Sequence, residues 1–346
     1  MVKYTIQRLI LAFVTAFIIL TATFFLVKLL PFEKPIGTTE SSIYAFYANQ
    51  VRLGYLIDVP TQNDSLGECL WTFTDTANVS HNYYLKSIGE QYIVWLTGLF
   101  NGFNWGTSTF ISPNVDAMVV IGERLPTTIK VNIWPVLISV PLGISLGIWA
   151  ALKKNKMTDH IISTLVMVFI SVPSFIVITL LMYWLCYQNN FLPSQWPSQD
   201  AEPLMRFKGY IIPTLSLSFG SICSYCRFTR AELTEVMSSD FLLLARTKGL
   251  TRSQAIVRHA LKNAFVPILP SILAEVISLL GGAMILEQLY GIPGVGKLYV
   301  TALNRKDYNV LMADMGFYTL IGLISGVFLD LSYGFIDPRI RMGARK

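Results

Sequence analysis

Residues 131–152 read VNIWPVLISVPLGISLGIWAAL, a run without one charged side chain, and Lys153, Lys154 and Lys156 follow at once. A helix needs about 20 mainly apolar residues to cross the hydrocarbon core of a bilayer, and lysines mark where such a helix leaves it. Within the run Ser139, Gly143 and Gly147 recur at four-residue spacing. Such a ridge lets a second helix backbone come close where lipid supplies no hydrophobic drive for association. The stretch predicts a membrane span packed inside a helical bundle.

Five more segments have the same character: 9–30, 161–187, 211–227, 264–289 and 315–336, the last with a second small ridge at Gly322 and Gly326. The chain of 346 residues is 53% hydrophobic and 14% charged, with a mean hydropathy of +0.52. Soluble proteins run near a quarter charged, so a large soluble enzyme is excluded in favour of an all-α polytopic membrane protein with six spans. The first segment follows Lys3 and Arg8 as a signal peptide would, but its apolar run is too long and no small-residue cleavage site follows, so it is expected to stay as a helix. Cys69 alone of the four cysteines lies outside the apolar runs, which leaves no disulfide framework. Cys223 and Cys226 form a C-x-x-C within a span, where packing is the expected role.

The formal charge of +6 invites a nucleic-acid partner until it is distributed along the chain. The N-terminus, residues 152–160, residues 227–263 and the tail from 337 hold 16 of the 27 Lys and Arg against five acids. The positive-inside rule then places these segments and both termini in the cytoplasm, and no nucleic-acid partner is expected. The hydrophilic stretch 31–124 falls outside. Its aromatics, among them Tyr44, Tyr47, Trp71, Tyr83, Tyr84 and Trp95, predict a small folded extracellular subdomain between the first two spans. Residues 93–100 are too short to span and suit a core or interfacial helix.

No G-x-x-x-x-G-K-[ST] loop occurs, so no nucleotide hydrolysis is expected of this chain. His81, His160 and His259 stand far apart and suggest no metal centre. The informative segment is the long basic loop. Asp240 is placed to cap a short helix that Gly249 ends in a left-handed conformation, and Thr251 with Gln254 forms a capping box for a second helix. Leu242, Leu243, Leu250 and Ile256 beside Arg246, Lys248 and Arg252 make an elbow suited either to docking in another protein's groove or to lying on anionic lipid.

Ala245-Arg-Thr-Lys248-Gly249-Leu, followed by Arg258-His259-Ala-Leu-Lys-Asn263-Ala and Pro267, resembles the cytoplasmic EAA loop of permease subunits in binding-protein-dependent ABC importers, oligopeptide and dipeptide branch. Gly281-Gly282, Glu287, Tyr290-Gly-Ile-Pro293-Gly294-Val-Gly296, Ala302 and Asp307-Tyr308 resemble further stretches of that branch. So do Asp330-Leu-Ser-Tyr333, Asp337-Pro338-Arg339-Ile-Arg341 and, upstream, Trp95, Gly106, Ser108, Arg124-Leu-Pro126 and Thr128. The resemblance covers residues 1–30 and about 90–346 and leaves much of 31–90 without a counterpart. Leu243 stands where the general motif has its glutamate, so Ala245 and Gly249 bear the match.

The resemblance implies a type I ABC importer permease (MetI-like) fold of the peptide B type. It divides the chain into the N-terminus with the first helix (1–30), the outer insert (31–124), a five-helix core (125–336) with its coupling loop at 238–263, and a cytoplasmic tail (337–346). It implies a second homologous C-type permease, two ATPase subunits that bind ATP and Mg, an extracellular peptide-binding lipoprotein and a peptide substrate, with no cofactor on this chain. Ala245, Lys248 and Gly249 are the expected coupling residues, supported by Arg258 and Asn263. Glu275 lies inside a span, where a central carboxylate costs about 2.5–3.5 kcal/mol, and is the candidate for the translocation path. Glu287, Pro293, Gly294 and Gly296 are candidates for an external gate or binding-protein contact, against a rigid reversal of the chain. Asp330, Asp337, Pro338 and Arg339 are expected to be structural. Dipeptide, nickel or another small cargo fits the same branch. A secondary transporter using Glu275 and Asp330 as ion sites, or a receptor sensing peptide through the outer subdomain, is the competing class.

Overall fold

Gly143 and Gly147 decide how the bundle closes. In the computed structural model, which describes residues 2–32, 35, 39–75 and 78–336, they lie on α4 (Ala117–Leu152) against α7 (Pro203–Met237). A Cβ added at Gly143 would come within 2.6 Å of Tyr225 Cβ and 2.7 Å of the Ile222 carbonyl; at Gly147 it would meet Thr229 Cβ at 2.6 Å and the Cys226 carbonyl at 2.7 Å. The close approach the ridge predicts is thus made, with backbone facing backbone. Gly147→Val is expected to cost the isolated chain about 3 kcal/mol of overpacking, read as lost monodispersity in detergent, because the obstructing carbonyl cannot swing away. Gly322→Val is its control: nothing in the chain lies within 4 Å of an added Cβ there.

Among the described residues four helices are long and apolar enough to cross a membrane: Thr5–Lys28, Ala117–Leu152, Arg252–Gly281 and Tyr308–Ser332. The segment expected as one span over 161–187 is instead a pair, α5 (Met157–Ile170) and α6 (Ser174–Met182) with a π-helical continuation to Gln188, bent by 91°. Pro173 lies at the break, where its ring disfavours a helical residue before it. The segment expected at 211–227 lies within α7, which has the length of a span but not the hydropathy. Its hydroxyls face protein: Ser216 donates to the Ser174 carbonyl (2.8 Å) and Ser218 to the Thr214 carbonyl (2.6 Å). α7 packs against α4, α5, α6 and α10 (Leu261–Ser278), so it is the axis of the bundle, with Leu204, Phe207 and Leu215 left exposed. Cys223 and Cys226 pack there against Val166, in the role expected of them.

The fifth expected span, 264–289, is also shortened. α10 ends at Ser278, a 3-10 turn carries Leu279–Gly281, and Gly282 at φ +65° breaks the chain before α11 (Met284–Tyr290). Glu275 therefore lies in the last turn of α10.

The chain forms two compact units. One comprises Leu125–Lys297 with the described parts of 1–12 and 321–346; the other comprises Phe13–Arg124 and Leu298–Leu320. The second extends beyond the insert expected at 31–124, because α1 (Val2–Lys28) and α3 (Ile88–Phe100) share a core: Phe24 lies 5.0 Å from the Trp95 ring and Thr21 Oγ1 is 2.9 Å from the Tyr92 hydroxyl. This unit is not wholly helical. β1 (Leu56–Val59), β2 (Cys69–Thr74) and β3 (Ser80–Leu85) form an antiparallel sheet in the order β1-β3-β2, and α2 (Glu40–Arg52) lays Tyr47 against Trp71 and Tyr83 at 5.1 and 5.0 Å. Tyr47, Trp71 and Tyr83 of the sequence's aromatics are this core, and Trp95 belongs to the one between α1 and α3. Asp307 ties the unit together: its Oδ2 accepts from the Ser108 hydroxyl (2.6 Å) and from the N–H groups of Thr109, Phe110 and Ile111 (2.9–3.0 Å).

Candidate coupling elbow and the Glu287 turn

The basic loop folds as two short helices hinged at a glycine. α8 (Asp240–Thr247) begins after Ser239, so Asp240 is its first residue and not its cap; there the acid still favours the positive end of the helix dipole. The helix ends in a Schellman turn: Gly249 N–H donates to the Arg246 carbonyl (3.0 Å) and Leu250 N–H to the Ala245 carbonyl (3.4 Å), with Gly249 at φ +95°. Ala245 and Gly249, the two positions that carry the motif, are thus the two ends of one hydrogen-bonded reversal. The capping box then starts α9 (Arg252–Ala255): Thr251 N–H donates to Gln254 Oε1 (3.1 Å) and Gln254 N–H to Thr251 Oγ1 (3.3 Å). A π-helical turn, Ile256–Ala260, leads into α10, where Asn263 Nδ2 donates to the His259 carbonyl (2.8 Å).

Burial divides the elbow into an anchor and a face. Leu242, Ala255, Ile256 and Ala260 join Ala151 and Leu233 in one core, and Leu250 packs on it. Leu243 (61% exposed), Leu244 (56%) and Val257 (62%) stay outside with Lys248 and Arg258. Of the four apolar residues expected to dock, only Leu243 is on the face; Leu242 and Ile256 are anchors, and Leu244 and Val257 replace them.

An ion pair without a local signature in the sequence braces the base of the elbow. Asp159, 1% exposed, accepts from Arg230 Nη2 at 2.8 Å and from the Asn155 N–H at 2.9 Å, tying the 153–156 turn to α7. Asp159→Ala leaves that arginine without its partner. The expected loss is about 3 kcal/mol, at the low end for buried pairs because Arg230 keeps 32% of its side chain exposed, and Arg230→Met in the same chain should restore part of it. Thermal unfolding of the purified chain checks both.

The other constellation surrounds Glu287. The carboxylate is 1% exposed. Thr128 Oγ1 donates to its Oε1 (3.1 Å), Lys297 N–H to its Oε2 (3.0 Å), and Val295 N–H to Thr128 Oγ1 (2.8 Å). Burial holds the Glu287 carboxyl above the ordinary carboxylate range, although the hydrogen bonds from Lys297, Thr128, Ala283 and Gly296 pull the other way. Gly294 and Gly296 are buried beside it, and an added Cβ at Gly294 would overlap both the carboxylate and the Thr128 hydroxyl. Glu287, Gly294 and Gly296 therefore have no surface with which to touch a binding protein; they hold the turn, and Pro293 alone is partly exposed. Tyr290 completes the anchor, its hydroxyl donating to the Pro193 carbonyl (2.9 Å) while its own carbonyl accepts from Trp196 N–H (2.8 Å).

The intramembrane carboxylates separate. Asp330 pairs with Arg8 Nε at 3.1 Å. Glu275 is half-buried and interacts with Tyr225, whose hydroxyl donates to the Ser271 carbonyl at 3.3 Å. Asp337, Pro338 and Arg339, with the tail 337–346, lie outside the described residues.

A polytopic helical bundle with a glycine-hinged elbow is the architecture of a membrane transport permease. The chain belongs to the family of binding-protein-dependent transport system inner membrane components, whose model matches residues 143–342. It is 33% identical over 344 residues to the dipeptide transport system permease protein DppB of Lactococcus lactis subsp. cremoris, covering 99% of this chain and 100% of that one. It is 30% identical over 346 residues to DppB of Bacillus subtilis, covering 99% of each chain. The oligopeptide transport system permease protein OppB of Escherichia coli K12 is 29% identical over 342 residues, covering 99% of this chain and 100% of its own. The matched stretch spans nearly the whole of this chain in each of these relatives.

Proposed function

We propose that this chain is the B-type permease of an ABC importer that carries oligopeptides into a bacterial cell through the cytoplasmic membrane. Both termini and the elbow lie in the cytoplasm, and the segment 31–124 with its sheet lies outside. A C-type permease pairs with it in the lipid bilayer, two ATPase subunits bind ATP and Mg, and an extracellular lipoprotein delivers peptide. The observation that carries this reading is the exposed face of the elbow, Leu243, Leu244, Lys248, Val257 and Arg258, set at a fixed angle by the Ala245–Gly249 turn. The peptide cargo is supported by the relatives named above.

A conformational change needs a ligand that prefers one state, and ATP on the partner subunits supplies that preference. Their closure moves the elbow; the elbow moves α10 and, through the shared core, the ends of α4 and α7. An ion-coupled transporter leaves the elbow without a task, and Asp330 is already paired with Arg8. Cells lacking the gene should lose uptake of labelled oligopeptide, and competition by dipeptide or Ni²⁺ ranks the alternative cargoes; undiminished peptide uptake overturns the proposal. Orientation has a built-in reporter in the free, partly exposed Cys69. An impermeant maleimide should label it in intact cells, whereas Lys248→Cys in a Cys69→Ser chain should react only after permeabilisation.

A further inference from the structure

Between the elbow, the C-terminal end of α7 and the 153–156 turn lies a cleft of about 480 Å³. Its floor is apolar, formed by Leu152, Leu242 and Ile256 among others, and its rim carries Lys154, Lys156, Arg246 and Arg252 against a single acid, Asp240. Among the described residues none of the four bases is in an ion pair. Four exposed cations facing one carboxylate leave an excess of positive charge around the cleft, which an anion seated there would offset. The volume is in the range of small-molecule sites.

The cleft also adjoins exposed apolar surface. Trp149, 52% exposed, stands one turn before Leu152, and aromatic side chains of this kind mark the headgroup level of a membrane. On the other side of the 153–156 turn α5 presents Met157 (74% exposed), Ile161 (52%) and Leu165 (48%), a stripe at helical spacing. Acyl chains on that stripe would bring a headgroup to Lys154 and Lys156. Basic pockets between helix ends on the cytoplasmic side are the usual seat of anionic headgroups.

We propose that this cleft binds the phosphate headgroup of an anionic phospholipid, so that the membrane's lipid charge bears on the coupling elbow. The inference rests on the cytoplasmic placement proposed above. The ligand is a phosphodiester with two acyl chains, the phosphate between Lys154, Lys156 and Arg252 and the chains along α5. Arg246 and Arg252 belong to the elbow itself, so an occupied cleft ties the elbow to the base of α4 and α5.

The test is native mass spectrometry of the full-length chain in detergent with phosphatidylglycerol or phosphatidylcholine added. Wild type should retain phosphatidylglycerol in preference to phosphatidylcholine. Lys154→Gln with Lys156→Gln should weaken that retention by about 25-fold, at roughly fivefold for each base near an anionic surface. Lys154→Arg with Lys156→Arg should retain it, since charge and not lysine is required. Glycerol phosphate at the same concentration should not displace the lipid; displacement would assign the site to a free phosphate compound and overturn the lipid proposal. Equal lipid retention by wild type and the Gln variant overturns it too, and loss of the ATPase subunits from that variant complex would then give the cleft to an acidic segment of the partner. Binding in detergent is blind to orientation, so a failure here is distinct from a failure of maleimide labelling at position 248.

Discussion

A Gly249→Val permease assembles with its partners, continues to support ATP hydrolysis and loses most of its peptide uptake. The reason is conformational. Gly249 sits at φ +95°, and nothing lies within 4 Å of a Cβ placed on it, so the new side chain meets no obstacle. The backbone itself is the problem: an L-residue in the left-handed region costs roughly 1–2 kcal/mol, and a β-branched one more. The Schellman turn that places Leu243 and Lys248 on one face then opens, while the core under Leu242 and Ile256 is untouched. Uptake should therefore rank Asn above Ala above Val at this position, because Asn tolerates the left-handed conformation. Wild-type uptake by the Val variant would remove Gly249 from the coupling path.

At Gly294 the expected loss is of the fold itself. Gly294→Ala drives a methyl group into the Glu287 carboxylate and the Thr128 hydroxyl, both buried and hydrogen-bonded, so neither can move aside. Overpacking of this kind costs about 3 kcal/mol or more, and the chain should fail to yield monodisperse protein. Glu287→Ala reaches a similar end by leaving the Thr128 hydroxyl and Lys297 N–H without an acceptor, at roughly 1–3 kcal/mol each. Glu287 also sets a pH dependence. Because burial raises its carboxyl above the unfolded value, its contribution is whole below the ordinary carboxylate range and is lost as pH rises through the raised one. Thermal unfolding in detergent should show stability falling with pH across that window in wild type and a flatter profile in Glu287→Gln.

The bundle was largely legible because its determinants are local. Residues 131–152 carry their own length, charge boundary and glycine ridge, and the ridge meets α7 as its spacing requires. The elbow was legible for the same reason: caps and a C-terminal glycine act within six residues of one another. What escaped is non-local or depends on packing. The Asp159–Arg230 pair joins residues 71 apart in sequence. Pro173 could have been read as the end of α5, but the apolar run on both sides concealed it. Glu287, grouped with Pro293, Gly294 and Gly296 as a candidate gate or binding-protein contact, is buried; the signal for that is the ring of glycines at 282, 294 and 296, small enough to let a carboxylate be buried. In the outer unit the aromatics of β2 and β3 announced a core without saying that it was a sheet, because each strand is only six residues long.

The central claim is that this chain carries peptide only when partner ATPases drive its elbow. The most direct measurement is accumulation of labelled oligopeptide by proteoliposomes holding the chain with its co-purified subunits and binding protein. Uptake that requires ATP and the binding protein, ignores an ionophore and collapses in Gly249→Val while hydrolysis persists is the predicted result. Uptake that proceeds without ATP and is abolished by an ionophore would contradict it.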